Sequence, residues 1–225
     1  MGSSIESFNR LDDLLASITK NDQNRILILH TLRDLAYQIA EISVDLPALT
    51  TRKTYATEEQ KENCSKMLYC WLSNNTSTSL SHLERVAYIK QRMNQAASSI
   101  IEALHPLMLN EGYAYEVLGA LGASARPAMR FYPEVFDRGT PTAKDYAVRI
   151  ISYVGPSADD VVFLIRSKNA DCVNSAIEFY RNRSTAEVST DLHTLEVAKS
   201  HESDPQIISA FDQAIQELNR RLQPP

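Results

Sequence analysis

Histidines placed a helical turn from carboxylates are the residue pairs in this chain that could hold a metal ion. His193 and Glu196 have that spacing, and His201 is followed directly by Glu202. A structural or catalytic metal site needs three or four convergent ligands. The other histidines, His30, His82 and His105, add no matching pattern, so the pairs read as solvated surface groups and no metal or other cofactor is expected. Cys64 and Cys70 lie about 240° apart around a helix. With Cys172 they make an odd set of three, expected as reduced thiols. No phosphate-binding glycine loop, GxSxG elbow or HExxH is present. Gly119-Ala120-Leu121-Gly122 sits inside a helical pattern with no strand before it. A chain without an assembled nucleophile, acid or base is expected to work without catalysis, so its surface must carry the function.

The elements that would present such a surface are written in a repeat. Tyr113 to Ala125 (YAYEVLGALGASA) returns 33 residues later as Tyr146 to Ala158 (YAVRIISYVGPSA). Tyr113, Ala114, Gly122, Ser124 and Ala125 meet identical residues, while Val117, Leu118 and Leu121 meet Ile150, Ile151 and Val154. A period of this length predicts stacked helical hairpins. Gly122 and Gly155 follow apolar runs, where a left-handed turn is cheap without a Cβ. Ser124 and Ser157 are placed to cap the next helix, with Asp159 and Asp160 favoured at its positive end. Ala114 and Ala147 allow close helix approach.

Helix signals recur elsewhere. Thr57/Gln60, Ser81/Glu84 and Ser184/Glu187 fit the capping box, and Thr140-Pro141 and Asp204-Pro205 put a cap before a first-turn proline. Apolar residues run at helical spacing through Ile26, Leu29, Leu32, Leu35, Ile39 and Ile42, and through Val86, Ile89, Met93, Ala97, Ile100 and Leu104. The spacing predicts helices over 4–18, 22–44, 57–73 and 81–105, with loops at 46–56 and 74–80 and a break at His105-Pro106. The chain is therefore expected to be all-α: a helical, bundle-like N-terminal region over 1–110, then repeats over 111–225 forming a short solenoid, whether as two domains or one continuous array.

The repeat half resembles HEAT-type repeats, in particular the short variety of bilin lyases and related adaptors, over roughly 112–200. Ala120 to Ala128 (ALGASARPA) is similar to the family's hairpin turn, Asp145 to Val162 to the next, and Asp171, Val173 and Ala176 to its helix start. Asn174 stands where the pattern has Arg, and Pro133 is expected to kink the second helix of the first repeat. The resemblance implies a binding scaffold, although related lyases and hydroxylases are enzymes. The hydroxylase relatives hold two irons with several His-Glu pairs, of which this chain offers only His201-Glu202.

Charge narrows the partner. Of the net charge of −5, the half from residue 111 onward carries −4, which opposes the basic stripe that phosphate binding requires. A basic protein surface fits better. In stacked hairpins the second helix of each pair lines one concave face, which selects Arg126 to Asp137, Ser157 to Arg166 and Ser184 to Lys199. Within them Arg126, Arg130, Glu134, Asp159, Asp160, Phe163, Arg166, Glu187 and Asp191 are the candidate partner-binding groups. Arg130 to Phe136 is the most aromatic stretch, with the composition of an interface anchor. No secretory signal, myristoylation pattern or membrane-spanning run is visible, so a cytoplasmic protein is expected. The leading reading is a non-enzymatic adaptor or bacterial immunity protein. An enzyme or cofactor-handling protein is the alternative, with a nucleic-acid binder behind it.

Overall fold

The computed structural model describes residues 10–18, 24–50, 57–73, 79–181 and 185–222, and every regular element among them is helical. Two compact units partition the chain, residues 1–103 and 104–225, a boundary seven residues before the one read from sequence. The first unit is built from α1 (Leu11–Ile18), α2 (Arg25–Thr50), α3 (Glu58–Ser73) and most of α4 (His82–Leu104). α2 packs against α1 and α3. Its stripe Leu29, Leu32, Leu35 and Ile39 is buried as the period requires, whereas Ile26 is 56 % exposed. The helix also continues through Pro47 to Thr50, into the span expected as loop. A proline there removes one hydrogen bond near the helix end without stopping it. The expected helical residues 4–9 and most of the 74–80 loop lie outside the described residues.

The caps act as their chemistry demands. Thr57 and Gln60 exchange hydrogen bonds of 2.8 and 3.2 Å. Ser81 N–H donates to Glu84 Oε2 at 2.8 Å, and the serine's bonds hold the Glu84 carboxyl below its usual range. Ser184 lies outside the described residues. Between α3 and α4 a polar cluster is enclosed. Arg85, 2 % exposed, donates from Nε to Ser65 Oγ at 3.2 Å and from Nη1 to the Leu80 carbonyl. Its Nη2 sits 2.5 Å from Glu62 Oε1 as an ion pair without hydrogen-bond alignment, and Glu62 is held below the usual carboxylate range first by Arg85. His82 Nδ1 lies 3.0 Å from Ser65 Oγ and 3.4 Å from Glu62. Serine, histidine and glutamate thus meet, but both oxygens address the same ring nitrogen. A relay needs the hydroxyl on one nitrogen and the carboxylate on the other, so this cluster binds two helices together.

The second unit begins with a 3₁₀ turn (His105–Leu107), followed by α5 (Gly112–Leu121), a 3₁₀ segment (Gly122–Phe131), α6 (Tyr132–Arg138), α7 (Pro141–Val154), α8 (Ala158–Arg166), α9 (Ala170–Arg181), α10 (Thr185–Ser200) and α11 (Pro205–Leu222). Its helices touch in two rows. α5 packs on α7, α7 on α9 and α9 on α11, while the 3₁₀ segment packs on α8 and α8 on α10. The repeated alanines Ala114 and Ala147 are fully buried, as are Leu118 and Leu121, with Ile151 and Val154 at 1 %. Gly112 admits the Tyr146 ring, since a Cβ there would stand 2.8 Å from its Cε2.

The two copies of the turn differ. Gly155 takes the left-handed conformation (φ 62°, ψ 68°) and its N–H returns to Ile151 O at 3.1 Å. Gly122 has φ 53° but ψ −132°, and Ser124 falls within the 3₁₀ segment and starts no helix. Ser157 instead forms a full capping box with Asp160. The second helix expected over 126–137, with a kink at Pro133, is instead a 3₁₀ segment followed by a short α-helix. Pro127 and Pro133 lack the N–H that helix interiors need, and Pro133 is accommodated in the first turn of α6. It starts a helix and kinks none.

Candidate partner-binding surface

The side chains selected from sequence lie on the 3₁₀ segment, α8 and α10, which share one row, and on α6, which packs on the 3₁₀ segment and on α7 and α9 of the other row, and the fold uses them unequally. Arg126 is exposed, yet its Nε donates to the Gly155 carbonyl at 2.7 Å and closes the end of α7. Arg130 lies over the Phe131 ring at 4.6 Å, and Phe131 stacks on His105 with centroids 3.8 Å apart and planes 12° from parallel. Glu134 joins this stack by a 3.0 Å bond to His105 Nε2 and pairs with Arg138 at 3.0 Å. His105 is a member that sequence reasoning missed, because it lies 29 residues from Glu134 and only folding brings them together.

On α8, Asp159 is exposed and Phe163 is 43 % exposed. Asp160 is committed to the cap, accepting from Ser157 N–H and Oγ–H at 2.7 Å each. Arg166 reaches the following turn, 3.4 Å from Glu202 and from the Ala198 carbonyl. Asp191 is a correction: it is buried at 9 % exposure and faces inward from α10, whose helical period turns that position to the interior. Glu187 lies on α10, with its side chain outside those described.

The turn before α11 is held by charge. Lys168, in the left-handed conformation at φ 59°, pairs with Asp204 at 2.5 Å. That bond raises the lysine above its ordinary range and is the largest cause of a lowered Asp204 carboxyl. Glu202 is also lowered, first by the N–H groups of Ser203 and Asp204. His201 Nδ1 bonds the Val197 carbonyl at 2.8 Å. Among the described residues no three metal-binding side chains converge, and no helix is long and apolar enough to cross a membrane.

The other row carries the recessed surface. Depressions of about 330, 420 and 350 Å³ lie along α7, α9 and α11. Asn174 lines all three, Glu178 two, and Gln213 two, so they adjoin around α9. α9 is positioned there by Asn169, whose Oδ1 caps Asp171 and Cys172 N–H at 2.9 and 3.2 Å. On that helix Asp171, Asn174, Ser175 and Glu178 recur at three- and four-residue spacing, which places them on one face. That spacing was the available signal for residues that sequence reasoning passed over. Cys172 is fully buried, and desolvation pushes its thiol up to about 11. No protein-family model, curated protein or solved structure matches the chain.

Proposed function

We propose that this protein is a non-enzymatic scaffold that binds a basic protein partner through residues 104–225, as an adaptor or an immunity protein built of HEAT-like hairpins. The observation that carries the reading is the two-row packing of these helices. Repeated alanines, leucines and glycines are spent on contacts and turns, and two outward faces remain, lined by carboxylates, carboxamides and arginines. The resemblance of the hairpin turns and the acidic balance of this half support the same reading. The exposed Phe163 beside Asp159 supplies an apolar anchor with an adjacent charge.

Affinity capture of the tagged chain at low and moderate salt, read by mass spectrometry, tests it. One stoichiometric basic companion is expected, associating more slowly with Asp159→Lys at low salt as steering requires. A copurifying metal or small molecule with no protein companion would overturn the proposal.

A further inference from the structure

We draw no further inference here: the strongest candidate, the set of depressions that adjoin around α9, is floored by the buried Phe136, Ile165, Ile177 and Ile207 and edged by charges already paired at Asp145, Lys168 and Glu217, and nothing in the structure shows what covers it.

Discussion

Gly122 and Gly155 occupy equivalent places in the two copies of the repeat but adopt different backbones, and the difference has a measurable size. A Cβ at either position meets nothing within 4 Å, so substitution by alanine costs backbone energy alone. At Gly155, in the left-handed region (φ 62°, ψ 68°), an L-residue costs about 1 kcal/mol. At Gly122, with φ 53° and ψ −132°, the conformation approaches one that only glycine populates, and the cost is about 2–3 kcal/mol. With a urea slope of about 1.5 kcal/mol/M for a unit of this size, Gly155→Ala should lower the midpoint by about 0.7 M. Gly122→Ala should lower it by about 1.3–2 M. Asparagine tolerates the left-handed region, so Gly155→Asn should recover part of the loss and Gly122→Asn should recover none. The assay is urea unfolding followed by far-ultraviolet circular dichroism. Equal losses at the two glycines, or a neutral Gly122→Ala, would refute the claim that the copies differ in backbone.

Three further outcomes follow from individual side chains. Tyr115 donates its hydroxyl to the Met108 carbonyl at 2.8 Å, whereas the buried Tyr132 hydroxyl has no partner among the described residues; desolvation raises both phenols. Tyr115→Phe should cost about 1 kcal/mol and Tyr132→Phe should be neutral or stabilising by a similar amount, read by chemical denaturation. Arg85→Met takes the donor from the Leu80 carbonyl and the cation from Glu62, while Ser65 keeps the Glu62 carbonyl and His82, and should cost about 1–3 kcal/mol, with a loss below about 1 kcal/mol counting against a structural role for the cluster. For Asp204 the folded pKa is depressed below 3.8, so its contribution is present above that value and lost as pH falls through the folded one. Lys168, raised above 10.5, contributes below that value and loses its share as pH rises through the folded one. Asp204→Asn keeps a good cap and removes the charge, so it should flatten the fall in Tm below about pH 4 and also remove the Lys168 share of the alkaline limb, whose source is Asp204.

Local chemistry made much of the fold legible from the residues. The caps at Thr57, Ser81, Thr140, Ser157 and Asp204 need only neighbours within three positions, and the buried stripe from Val86 to Leu104 needs only the helical period. Where two local rules competed, pattern alone misjudged the outcome. The span 46–56 reads as a loop, although the helix runs on through Pro47 to Thr50. Pro133 was weighed as a kink although it opens α6. The stripe residue Ile26 is exposed because periodicity identifies a face without saying where the neighbouring helix ends.

What the sequence determined by itself, then, was an all-helical chain, its caps and the repeated small and apolar positions, because those depend on interactions within a turn or two. Tertiary structure decided the rest. It turned Asp191 inward, committed Asp160 and Arg126 to helix ends, and stacked His105 on Phe131 beside Glu134. It also gathered Asn174, Glu178 and Gln213 around one depression. Those outcomes depend on which helix lies beside which, and that is fixed by packing across tens of residues, which no local spacing encodes.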